Sequence, residues 1–153
     1  MNENRRTALK GAGVLAAVLA TGALKPRIAA AVTPNKAAME AKTTADAMKA
    51  LGIAGAAESG EIQIKAPEIA ENGAVVPIEV TSNVPGTQLI SVFVEKNPFP
   101  FAGSFDVSKG ALPFVALRLK VGESSNIRVV VTAGGKHYTA AKEVKVNIGG
   151  CGG

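Results

Sequence analysis

The chain has 153 residues with 17 Lys+Arg, 12 Asp+Glu, one His and one Cys, a formal net charge of +5. That length is about one domain, and a single Cys excludes an internal disulfide framework, while one His beside one Cys excludes an ordinary structural zinc site. The charge is uneven: residues 1–31 hold five basic groups against Glu3 alone, whereas residues 32–153 hold 12 basic and 11 acidic groups. A nearly neutral body with no basic run, no Trp and one Tyr argues against nucleic-acid binding, which needs many neutralised phosphates or an aromatic stacking platform.

The basic start coincides with an export pattern. Arg5-Arg6-Thr7-Ala8-Leu9-Lys10 leads into an uncharged Ala/Leu/Val/Gly-rich stretch over residues 11–24. Those 14 residues fall short of the roughly 20 that a helix needs to cross a bilayer, so a cleaved signal is expected and a stable membrane association is not. Ala29-Ala30-Ala31 supplies a small-residue cleavage site, which sets Val32 as the first mature residue. Arg5-Arg6 with Leu9-Lys10 resembles a twin-arginine signal, although Ala8 stands where that pattern has Phe and Asn4 where it has Ser or Thr. Glycines in the apolar stretch, and Lys25 and Arg27 ahead of the cleavage site, fit the same route to a bacterial periplasm.

Thr33-Pro34 opens a segment with helix-start chemistry, a hydroxyl for the cap and then a Pro whose missing N–H costs nothing. Ala37, Ala38, Ala41, Ala45, Met48 and Leu51 recur at spacings of three and four, which predicts one short amphipathic helix stopped at Gly52. From Glu61 the period changes to two. Ile62/Ile64, Val76/Ile78/Val80, Ile90/Val92/Val94, Val115/Leu117/Leu119, Ile127/Val129/Val131 and Val144/Val146/Ile148 each alternate with other residues. Asn72-Gly73 and Gly134-Gly135 suit two-residue hairpins, and Pro85-Gly86 suits a type II turn. Six or seven short strands joined in this way predict a mainly β, antiparallel sandwich. Lys96-Asn97-Pro98-Phe99-Pro100-Phe101 is loop or edge, because two prolines cannot donate to a ladder. Its two phenylalanines either fold back onto the core or present an apolar patch.

No paired His/Asp/Ser constellation or metal-ligand set appears, and His137 follows the Gly134-Gly135 turn as a strand residue rather than a catalytic base. What remains is Gly149-Gly150-Cys151-Gly152-Gly153, the chain's single thiol between two glycine pairs. An unpaired Cys in an exported chain points to a reactive or intermolecular role. Glycines without Cβ atoms make residues 149–153 a flexible and thin arm, able to enter a channel too narrow for ordinary sequence. The closest preceding cation is Lys145 and the C-terminal carboxylate is anionic, so strong activation of Cys151 is expected from a partner's site. The chain therefore divides into a signal over residues 1–31, a helix-plus-sandwich domain over 32–148 and the arm over 149–153.

Taken together these residues resemble the SoxY sulfur-carrier family of the bacterial thiosulfate-oxidising (Sox) system. The terminal Gly149-Gly150-Cys151-Gly152-Gly153 carries the resemblance most specifically; Pro67-Glu68-Ile69-Ala70-Glu71-Asn72-Gly73, Val76-Pro77, Lys96-Asn97-Pro98 and the twin-arginine-like start extend it over nearly the whole chain. The resemblance implies an immunoglobulin-like sandwich paired in a heterodimer with a second small β protein, SoxZ. It also implies that Cys151 is conjugated to thiosulfate by a c-type cytochrome oxidase. A manganese hydrolase then releases sulfate, and in some organisms a molybdenum–haem dehydrogenase oxidises the remaining persulfide sulfur. This chain is then a non-catalytic carrier that binds no cofactor itself, the haem, manganese and molybdenum belonging to its partners. A second reading of the same residues is an exported binding or structural module that dimerises through a Cys151–Cys151 disulfide.

Overall fold

The computed structural model describes residues 34–147. Two helices open this part, α1 over Lys36–Glu40 and α2 over Thr44–Ala50, where the sequence pattern predicts one. The break has a local cause. Asn35 Oδ1 accepts the Ala38 N–H and Thr43 Oγ1 accepts the Asp46 N–H, so two caps fall within one apolar stripe and the chain is extended at Ala41 between them. The restart shifts the helical phase: Ala38 and Ala47 are buried, Ala41, Met48 and Leu51 are half-buried, and Ala37 and Ala45 face solvent. Gly52, at φ +75°, is the stop the sequence predicts; it lets the Ile53 N–H return to the Met48 carbonyl at 2.9 Å and turns Ile53 inward.

Nine strands follow among the described residues: β1 Ala57–Glu58, β2 Ile62–Lys65, β3 Ile69–Ala70, β4 Val76–Ser82, β5 Thr87–Val94, β6 Phe101–Asp106, β7 Phe114–Leu119, β8 Ser125–Ala133 and β9 Lys136–Val146. They form a mainly antiparallel, immunoglobulin-like sandwich. The larger sheet has the order β1-β9-β8-β5-β6, with β3 also on β9, and the smaller has the order β2-β4-β7. The period-two residues face each other between the sheets. Val76, Ile78 and Val80 of β4, Ile90, Val92 and Val94 of β5, and Ile127, Val129 and Val131 of β8 are each at most 1% exposed. Branched side chains at alternate positions fill such a pleated interface without voids. The outer face of the larger sheet is apolar as well: Phe93 and Val130 project from it and are covered by Ala47 and Ile53. The helices are thus a third layer over one sheet.

Three connections define the ends of the sandwich. Gly134 and Gly135, both at positive φ, close the β8–β9 hairpin as expected. Gly86, also at positive φ, serves a turn that crosses from the smaller sheet to the larger. Asn72-Gly73 differs from expectation: it joins β3 to β4 in the other sheet, and Gly73 is absent from the positive-φ glycines. Its glycine is required by proximity instead, as the next section describes. Two short strands, β1 and β3, pair with β9 in parallel and were not marked by any alternating pattern.

The Pro-flanked segment divides between its two readings. Phe101 opens edge strand β6 and lies half-buried, its ring centroid 5.6 Å from that of Phe93. Phe99 stays 49% exposed, with the Lys42 ammonium 3.6 Å above its ring. At the end of β6, Asp106 is held below the usual carboxylate range by the Ser108 hydroxyl and then by the Ser108 N–H, both of which donate to Oδ1.

Truncating Phe93 removes the main contact between the helix layer and the sheet. Phe93→Ala is expected to cost about 3–5 kcal/mol of unfolding free energy, read from urea denaturation, and Phe99→Ala well under half of that.

Candidate functional site

The hydrogen-bond ladder of β9 ends at residue 147, immediately before the segment that carries the thiol. Cys151, Gly149, Gly150, Gly152 and Gly153 lie outside the described residues, as do Arg5, Arg6, Ala31 and Val32. The part of β9 that leads toward Cys151 is described up to Asn147.

At this end β9 is held on both flanks. On the outer side Lys145 donates to the Glu68 carbonyl at 2.9 Å and Asn147 donates to the Ala70 carbonyl at 3.1 Å. On the inner side the regular pairing stops at Val144, opposite Ser125, the first residue of β8. Beyond it a side chain replaces the missing strand: the Val146 N–H donates to Ser124 Oγ at 2.9 Å. The strand is therefore fixed to within one residue of Ile148.

Three loops gather here. The β3–β4 turn contributes Gly73, whose carbonyl accepts the Val121 N–H at 2.7 Å. A Cβ at Gly73 would overlap the Val121 carbonyl oxygen and come within 2.8 Å of Val146 Cγ1, so only a bare backbone fits between β9 and the β7–β8 loop. That loop is braced in turn by Asn97, whose Nδ2 donates to the Lys120 carbonyl at 2.7 Å and whose Oδ1 accepts the Gly122 N–H at 3.0 Å. The Lys96 N–H donates to Ser125 Oγ at 3.0 Å, and Glu95 meets Arg128 in a half-buried ion pair while accepting from Asn126 Nδ2 at 3.1 Å. The segments Pro67-Glu68-Ile69-Ala70-Glu71-Asn72-Gly73 and Lys96-Asn97-Pro98, far apart in sequence, thus meet around the end of β9 and the β7–β8 loop.

This end of β9 offers positioning and little acid–base chemistry. Among the described residues no group of three or more His, Cys, Asp or Glu side chains is placed to hold a metal ion. His137 stands at the other end of β9, where its Nδ1 lies 3.0 Å from Thr132 Oγ1. Nine steps along the strand separate it from Val146, about 30 Å at ~3.3 Å per residue. The four steps from Asn147 to Cys151 reach at most about 14 Å. Thus His137 is out of range of this chain's own thiol. Ser124 and Asn97 carry no mark of these bonds in the sequence, because each side chain's partners lie more than 20 positions away.

A family model described as sulfur oxidation protein SoxY matches residues 47–151, a span that reaches Cys151. The solved structure of the sulfur carrier protein SoxY from Chlorobium limicola f. thiosulfatophilum is similar, with 48% identity over 68% of this chain and 96% of that one, and a TM-score of 0.62. An engineered protein resembles 57% of the chain and 20% of its own length at 13% identity, with a TM-score of 0.39, too low to support any argument. No curated protein matches significantly.

The tight approach at Gly73 gives a direct check. Gly73→Ala is expected to push the β7–β8 loop away and to cost about 1–3 kcal/mol as an overpacked contact does. Hydrogen exchange at the Val121 amide, measured by NMR, is expected to accelerate.

Proposed function

The chain belongs to the SoxY family of sulfur oxidation proteins, and from that premise we propose that Cys151 is where sulfur intermediates are covalently attached during thiosulfate oxidation, carried on a glycine arm over residues 149–153. Members of this family are non-catalytic, periplasmic sulfur carriers that work with SoxZ and the other Sox enzymes. The observation that supports the finer assignment is the coincidence of three features. The chain has one thiol, that thiol falls within the family match, and the sandwich holds the backbone firmly up to four residues before it.

The chemistry on this sulfur is simple to balance. The thiol and thiosulfate join through a new S–S bond with loss of one proton and two electrons, which a c-type cytochrome oxidase accepts. Water then cleaves the bond to the terminal sulfone group in the manganese hydrolase, releasing sulfate and leaving a persulfide on Cys151. A molybdenum–haem dehydrogenase, where one takes part, oxidises that outer sulfur for a further hydrolysis. The carrier contributes covalent retention and a high effective concentration at each enzyme in turn. In this reading activation of the thiol falls to the partner's site, which the distance between His137 and the end of β9 supports. Export through the twin-arginine route, with Arg5-Arg6 as its mark and cleavage between Ala31 and Val32, delivers the chain to the compartment where those partners act.

Mass spectrometry after incubation with thiosulfate and the partner oxidase is expected to find an adduct confined to Cys151, and none on a Cys151→Ser protein. An adduct on the Ser variant would overturn the assignment. Loading of the reduced, disulfide-free protein separates this reading from that of a disulfide-linked module. Replacing Gly149 and Gly150 with Val is expected to leave the unfolding midpoint unchanged and to slow loading at least tenfold, because bulk beyond the last described ladder bond burdens the arm and not the core.

A further inference from the structure

Val146 is the last residue of β9, yet its N–H has no strand to bond. β8 begins at Ser125 and is used up opposite Val144. Ser124 Oγ takes the place of a strand carbonyl. Ser124 belongs to the β7–β8 loop, and that loop is fixed by two attachments to other parts of the fold. One is the Val121 N–H bond to the Gly73 carbonyl, with the Val121 side chain 1% exposed beneath it. The other is the Asn97 amide, which receives the Gly122 N–H and donates to the Lys120 carbonyl, as a neighbouring strand would. Asn97 is itself anchored by its own N–H to the Val94 carbonyl at 3.1 Å.

We propose that Ser124 and Asn97 are positioning residues for the sulfur-carrying arm: together they act as a substitute strand that extends the inner flank of β9 from Val144 to Val146 and so set the point and direction at which the arm leaves the sandwich. The proposal rests on the carrier reading of Cys151 for its functional consequence, but its structural part stands on residues 73, 94, 97, 120–124 and 144–147. Without the substitute strand the inner flank of residues 145–147 has no partner. Residues 145–147 then hang by their outer bonds to Glu68 and Ala70 alone, and each time these open the last fixed residue retreats from Asn147 toward Val144, from four to as many as seven steps before Cys151, with the departing strand no longer aimed along β9. A longer and undirected tether presents its end at a lower effective concentration, falling roughly as the −3/2 power of length, which amounts to about twofold from length alone. Loss of direction adds to that. The effect falls on encounter with an enzyme's entrance and not on the reacting sulfur.

The test uses the full mature chain in three variants, Ser124→Ala, Ser124→Thr and Asn97→Ala. NMR measurement on uniformly labelled protein is expected to give a rigid Val146 amide in the parent, with an order parameter of about 0.85, and one below about 0.6 in Ser124→Ala and Asn97→Ala. Ser124→Thr keeps the hydroxyl and is expected to restore rigidity. Exchange at the Val129 and Ile127 amides in the core is expected to stay within twofold of the parent, which separates a local release from general destabilisation. With the partner oxidase, the two Ala variants are expected to show a KM for carrier raised at least twofold with kcat unchanged, while the rate at which Cys151 reacts with a small disulfide reagent does not move. A Val146 amide that stays rigid in both Ala variants overturns the proposal, as does a fall in kcat with KM unchanged. If the parent chain is not loaded at all, the carrier reading fails, and the order parameters still decide whether the substitute strand exists.

Discussion

Strand β9 is the member on which the remainder of the domain depends. It pairs with β8 along nine consecutive positions on one side, and on the other it receives β1 near its start and β3 near its end. A long final strand at the margin of a sheet would ordinarily expose a row of unpaired peptide groups that invites association with another chain. Here the two short parallel strands close that margin at both ends while β2, between them, departs to the smaller sheet. The same arrangement draws Pro67 to Gly73 against the end of β9, so the closing of the edge and the bracing of that strand end are one event in the fold.

The interior was legible because it obeys a simple period. Branched residues at every second position in β4, β5 and β8 can face only one way, and burial follows from that. Gly134-Gly135 was legible for a similar reason, since consecutive glycines at positive φ serve one kind of turn. Other elements were hidden by their chemistry. β6 reads Phe-Ala-Gly-Ser-Phe-Asp, with small and polar residues that carry no strong strand preference, and it exists because β5 offers it a partner. The single helix expected near the start became two because Thr43 found the Asp46 N–H, a local bond that outweighs continuation of an alanine stripe.

The candidate site divides along the same line. A lone Cys among glycines is conspicuous as letters and needs no coordinates to be noticed. Its base is not. Asn97 acts on residues 23 and 25 positions away, and Ser124 on one 22 positions away. No periodicity encodes such bonds, and an isolated Ser or Asn in a loop has the same appearance whether it braces a strand or faces water. Gly73 misleads in another way: glycine in a turn suggests unusual dihedrals, whereas here its lack of a Cβ admits the Val121 backbone and the Val146 side chain.

The placement of His137 at the hairpin end of β9 has a bearing on chemical safety. A thiol with a resident base nearby is always partly awake, and in an oxidising space it would spend itself on whatever electrophile or peroxide passed. With its sole imidazole a whole strand away from Val146, a carrier of the kind proposed above would keep its sulfur dormant in transit and take its reactivity from each host enzyme for the length of a visit.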